Sequence, residues 1–123
     1  MTTVRGVDAH TDFGGLTLLR SDIVSGLQIF HPKTQIQIDV GPIAEPYVVN
    51  LGDTMQLWTG GMHRSILHRM IITTGSKRYS IAVFNGGRQD HRVKRINVGE
   101  GTENEEGITV GEHLKKIYKG TMS

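Results

Sequence analysis

The chain has 123 residues, 37% of them hydrophobic and 21% charged, a balance that fits one soluble globular domain and excludes a disordered or membrane-spanning chain. With no cysteine it forms no disulfide, thiolate zinc site or iron–sulfur ligation, so any metal must be held by imidazole and oxygen. The net charge of +2 hides a segregation, eight Lys/Arg against one acid in residues 61–95 and five Glu without a base in residues 100–112, but no aromatic-rich or helix-turn-helix pattern accompanies it and nucleic-acid binding is not expected.

No run approaches the ~18 apolar residues of a membrane span, and the N-terminus has no secretory h-region. The expected location is the cytoplasm, with no membrane partner. Sixteen glycines, spread rather than clustered, cut the chain into short β-branched and aliphatic runs, the turn spacing of an all-β sandwich or barrel. The predicted strands are 4–10, 16–19, 26–31, 34–40, 47–51, 65–73 and 79–84.

The first strand runs into "VDAHTDFGG". Alternate residues of an extended strand share a face, so His10 and Asp12 can point at one ion, and Asp8 belongs to the same set. A His-x-Asp pair alone is weak evidence, since six His and six Asp in this chain give roughly 0.3 by chance. Gly14 and Gly15 follow without a GxGxxG or Walker pattern and read as a close turn. In "KTQIQIDVGP" a period of two sends Ile36, Ile38 and Val40 toward a core and Gln35, Gln37 and Asp39 toward water.

"GDTMQLWTGG" interrupts the strand pattern. Asp53 and the residues after it suit a single capped helical turn closed by Gly60-Gly61, a crossover between strands. In "SILHRMII", His68 shares a strand face with Ile66, Met70 and Ile72, so its imidazole is either packed in a core or held as a ligand. Ten residues on, Arg78 and Ser80 of "RYS" lie on one face of the last strand and pair a guanidinium fork with a hydroxyl, a receptor for a carboxylate.

Residues 85–107 lack aliphatic periodicity and read as an exposed connection. A helix follows over 108–120, with Thr109 and Glu112 in a capping-box pattern, an apolar stripe of Val110, Leu114, Ile117 and Tyr118, and Gly120 after its last turn. His31, His63, His91 and His113 read as solvated.

Four segments in order, "HTDFGGLTLL" with "GLQIF", "VVNLGDTMQLWTGG", "SILHRM" and "RYSIAVF", resemble the isopenicillin-N-synthase-like branch of the iron(II)- and 2-oxoglutarate-dependent oxygenases over residues 7–84. The spacings, 56 residues from Asp12 to His68 and ten from His68 to Arg78, are similar to the family's. The resemblance implies an all-β fold with a double-stranded β-helix (jelly-roll) core and a short C-terminal helix: one domain over 1–123, divided into a catalytic jelly-roll portion at 1–84, the loop at 85–107 and the helix at 108–120. It implies that His10, Asp12 and His68 ligate Fe(II), that Arg78 and Ser80 hold the distal carboxylate of the co-substrate 2-oxoglutarate, and that Asp8 has no role and faces solvent. The implied activity is that of a dioxygenase, which uses dioxygen to oxidise a small organic substrate and releases succinate and carbon dioxide.

Family members are longer, and this chain begins only nine residues before His10, so the resemblance covers the C-terminal catalytic half and the jelly roll is expected to be incomplete at its N-terminal edge. "FNGG" stands where a proline commonly follows the phenylalanine strand, a departure at the barrel rim. Two alternatives stand beside the main reading. One is an oxidase of the same fold that does not use 2-oxoglutarate, with Arg78 and Ser80 serving another anion; the other is an inactive fragment acting as a binding or regulatory domain. A cupin is disfavoured, because the His-x-His pair followed by Glu is absent. The sequence carries no sign of oligomeric state.

Overall fold

The computed structural model describes residues 4–41, 47–72, 75, 77–96 and 107–122. Strands β1 (Val4–His10), β2 (Leu16–Ser21), β3 (Leu27–Phe30), β4 (Gln37–Asp39) and β5 (Tyr47–Leu51) precede helix α1 (Asp53–Trp58). Strands β6 (His68–Ile72), β7 (Ser80–Asn85), β8 (Arg92–Val93) and β9 (Ile108–Thr109) lead into helix α2 (Val110–Met122). Pairing is antiparallel throughout. One sheet has the order β1-β6-β3-β4, a second β5-β2-β7, and β8 pairs β9.

The two larger sheets face each other across a cavity of about 240 Å³, lined by Val7, Leu27, Ile29, His68 and Met70 from one and Thr17, Leu19, Val48, Asn50, Ala82 and Phe84 from the other. β2, β3, β5, β6 and β7 contribute alternate residues to this wall, the period-two arrangement that turns a strand's sequence into two chemically distinct faces. This double-sheet jelly roll is the expected fold. Among the described residues no helix is long and apolar enough to cross a membrane.

Three local expectations are corrected. The alternation in residues 34–40 was expected to bury Ile36 and Ile38, but Ile36 is 62% exposed and Ile38 43%. Ile38 does sit opposite Ile29 and hence on the cavity side, yet β4 is the outermost strand of its sheet, and among the described residues no further strand covers the side chain. On its other face Arg69 donates to Gln37 Oε1, and Gln28 donates to Asp39 Oδ1 at 2.6 Å. Second, α1 is capped by Gly52 rather than by Asp53, whose carboxylate is engaged elsewhere.

Third, the stretch expected as an exposed connection contains β8, which pairs with β9 and touches α1 and in which Val93 is buried. A two-residue pairing of distant segments leaves no periodic trace in sequence, which is why periodicity does not reveal it; residues 97–106 of that stretch lie outside the described residues. The capping box forms as expected, Glu112 N donating to Thr109 Oγ1 at 3.1 Å and Thr109 N to Glu112 Oε2 at 3.2 Å. The helix continues through Gly120 to Met122 instead of ending before it, and Tyr118 of the expected stripe is exposed.

Candidate metal centre

β1 and β6 pair with His10 directly opposite His68, so two imidazoles far apart in sequence stand 4.3 Å apart between ring centroids. The register shifts between Val7 and His10, an irregularity of the kind that re-aims side chains beside sites. Asp12 follows just past the end of β1, its Oδ1 at 3.5 Å from Nε2 of His10 and at 3.5 Å from Nε2 of His68. One ligand atom from each of the three residues lies within 4.8 Å of the others.

The rings are oriented from behind. Nδ1 of His10 lies 2.8 Å from the carbonyl of Asp8, and Nδ1 of His68 lies 3.0 Å from that of Ile66. A carbonyl only accepts, so each Nδ1 donates its hydrogen there and each Nε2 is turned toward Asp12. Two ring nitrogens and a carboxylate oxygen thus converge on one point, a donor set that a divalent cation can take. Asp12 is only 4% exposed and His68 13%, while His10, at 42%, borders the open side. A set of two imidazoles and one carboxylate with no sulfur fits Fe(II) better than it fits a structural zinc or copper.

A second layer of bonds ties the ligand-bearing segments together. Asn50 Nδ2 donates to Asp12 Oδ2 at 2.8 Å. Asp53 N donates to the carbonyl of Asp12 at 2.7 Å, and its carboxylate accepts from Thr11 Oγ1 at 3.3 Å and from Ser65 Oγ at 2.5 Å. Asp53 thus joins the segment holding His10 and Asp12 to the one leading into His68. Sequence reasoning assigned no role to Asn50; the available signal was a polar amide at an inward position next to inward Val48.

Arg78 and Ser80 are brought together, but in an adjoining cavity of about 460 Å³ that shares Val7, Met70 and Ser80 with the central one. Of the pair, only Ser80 lines both. Arg78 Nε donates to the carbonyl of Val24 at 2.9 Å. Gly26 makes room for this side chain, since a Cβ there would lie 3.2 Å from Arg78 Cδ and 2.6 Å from the Ile71 carbonyl oxygen.

Asp22 clamps the same corner: its carboxylate accepts from Tyr79 N at 2.7 Å and Val24 N at 3.0 Å. These two backbone donors, with Arg78 nearby, hold its carboxyl below its ordinary value of 3.8. A lowered pKa means the clamp adds stability above the unfolded carboxyl's pKa and loses it as pH falls through the folded one. The melting temperature of Asp22→Asn is therefore expected below wild type at neutral pH, with the gap closing under acid; a gap independent of pH would contradict this.

Asp8 faces solvent as expected and pairs with Arg5 at 3.3 Å. His63 and His91 are exposed and His31 is half-buried. His113 is not solvated as expected: its side chain is 17% exposed, with Nε2 buried 3.9 Å from Asp53 Oδ2, because the capped start of α2 folds back beside α1. That helix is anchored by Val110 N on the His91 carbonyl and Gly111 N on the Gln89 carbonyl.

Residues 2–87 match the family model described as the 2OG-Fe(II) oxygenase superfamily. The 2-oxoglutarate-dependent dioxygenase tropC of Talaromyces stipitatus is 42% identical over 118 residues, covering 95% of this chain and 34% of that protein. Among solved structures, the rice dioxygenase for auxin oxidation is similar with a TM-score of 0.83 at 29% identity, over 98% of this chain and 42% of that one. A full-length Neurospora crassa protein in complex with alpha-KG and thymine gives a TM-score of 0.81 at 29% identity, over 97% and 41%. The chain spans about a third of the length of the curated relatives it matches.

Proposed function

The chain belongs to the 2OG-Fe(II) oxygenase superfamily, and from that membership we propose that it carries the catalytic site of an Fe(II)- and 2-oxoglutarate-dependent dioxygenase acting on a small organic molecule. The observation that carries this reading is the convergence of His10, Asp12 and His68 within 4.8 Å. His10, Asp12 and His68 are the residues that would hold the ion, one from each side of the β1–β6 pair and one from the turn beyond. Fe(II) bound there supplies the redox chemistry by which dioxygen oxidises a substrate while 2-oxoglutarate becomes succinate and carbon dioxide.

The chain's own groups do the rest. One carboxylate against two neutral imidazoles leaves a net positive charge on a divalent ion, which favours an anionic chelating co-substrate. The guanidinium of Arg78 and the hydroxyl of Ser80 are fixed donors for the far carboxylate of that molecule. Leu19, Leu27, Ile29 and Phe84 supply an apolar wall to the cavity. Small-molecule ligands such as the thymine bound by the Neurospora crassa protein suit such a pocket.

The test measures succinate formed from 2-oxoglutarate by the purified chain with Fe(II) and dioxygen, beside Arg78→Ala. A hydrogen bond to a charged group contributes about 1.5–3 kcal/mol, so Arg78→Ala should weaken 2-oxoglutarate binding about ten- to a hundredfold. Arg78→Ala binding the keto acid as wild type does would move the carboxylate receptor elsewhere. A chain that binds neither Fe(II) nor 2-oxoglutarate would sink the reading.

A further inference from the structure

We infer that Asn50 is a positioning residue of the metal centre, holding Asp12 to ligation through a single oxygen. The inference rests on the metal-centre reading above and goes beyond it, to a residue that is no ligand. Asn50 lies on β5, opposite Thr17 of β2, so the strand is placed by its backbone ladder and the amide is spare for other work. On the cavity wall it stands with Thr17, Leu19, Val48 and Asp12, and an amide withdrawn from water there is costly unless bonded. Its Nδ2 donates to Asp12 Oδ2 at 2.8 Å, while Oδ1 of the same carboxylate is the atom lying 3.5 Å from both imidazole nitrogens.

The division of labour between the two oxygens has a chemical consequence. An amide on Oδ2 holds the carboxylate with Oδ1 toward the imidazoles, so three protein atoms are offered and further positions on an ion would be left for a chelating keto acid and dioxygen. Without the amide, Asp12 is free to rotate about its last torsion, and the donor set is no longer preset.

Co(II), added to the purified metal-free chain without oxygen, is the probe, read by its d–d absorption and by calorimetric titration. Loss of a ligand's hydrogen-bond partner lowers metal affinity about 10–100-fold, so Asn50→Leu, close in size but without a donor, should raise the Kd by that factor and change the absorption spectrum. A merely structural role would shift the melting curve of the metal-free chain and leave the spectrum of the bound ion alone. Should Asn50→Leu fail to fold cooperatively, Asn50→Ala is titrated in its place. An affinity within twofold of wild type with an unchanged spectrum overturns the inference. Failure of the wild-type chain to bind Co(II) at all overturns the metal centre itself, and this inference with it.

Discussion

Asp12→Ala is expected to abolish tight binding of Fe(II) or Co(II) and, with it, the stabilisation that the metal gives the wild-type fold. Asp12 is the one charged member of the triad and is nearly excluded from water, so its Oδ1 balances an ion's charge at short range where solvent screens little. The two imidazoles alone are neutral donors. Removing a ligand must cost more than the about 100-fold that follows removal of a ligand's hydrogen-bond partner. An ion at one hundred times its Kd stabilises the folded state by about 2.7 kcal/mol, and that increment should vanish in Asp12→Ala. Melting curves with and without Co(II) read it directly. Equal metal-induced shifts in wild type and variant would place the ion elsewhere and remove Asp12 from the site.

In the metal-free chain the substitution removes the acceptor for Asn50 Nδ2. The larger difference between variant and wild type appears when metal is present.

How much of this site was legible in the sequence depends on which contacts are local. His10 and Asp12 share a face by strand alternation, a purely local property, and the structure keeps them together. His68 could be placed on an apolar face but not beside anything, because periodicity says which way a side chain points and never which strand lies next to it. The register that sets His10 opposite His68 is a long-range fact, carried in advance only by the resemblance and its spacing. Asn50 and Asp53 were missed for the same reason: their partners, Asp12, Thr11 and Ser65, lie in other segments. For Ile38 the reading of alternation was sound for direction and wrong for burial, since an edge position is decided by strand order, while Ile36 lies before the start of β4, which spans Gln37–Asp39. The capping box of α2, bonded within four residues, was fully readable.

Gly52→Ala is expected to damage both the fold and the metal site, although nothing in the backbone conformation of residue 52 demands glycine. Its φ of −104° and ψ of −178° are ordinary extended values. Space is the constraint. A Cβ on Gly52 would run into the carbonyl oxygen of Gly14, lie 2.8 Å from that residue's carbonyl carbon, and come within 2.9 Å of the carbonyl oxygen of Asp12. These are backbone atoms with no rotamer to yield, so the chain itself must move. Bonds from Gly52 N to the Gly15 carbonyl at 2.9 Å, Asp53 N to that of Asp12 at 2.7 Å and Thr54 Oγ1 to that of Phe13 at 2.8 Å clamp the two segments at this point. Separating them strains or breaks those bonds and drags Asp12 off the imidazoles. Overpacking costs about 1–3 kcal/mol and each lost bond about 1 kcal/mol more, for a total near 3–5 kcal/mol, or a melting temperature lower by roughly 10 °C or more. The Co(II) affinity should fall alongside it. Gly41→Ala is the control: among the described residues no atom lies within 4 Å of a Cβ built there, and its stability should stay within about 1 kcal/mol of wild type. A Gly52→Ala protein that melts with the control and binds Co(II) like wild type would show that residues 52–54 do not fix the position of Asp12.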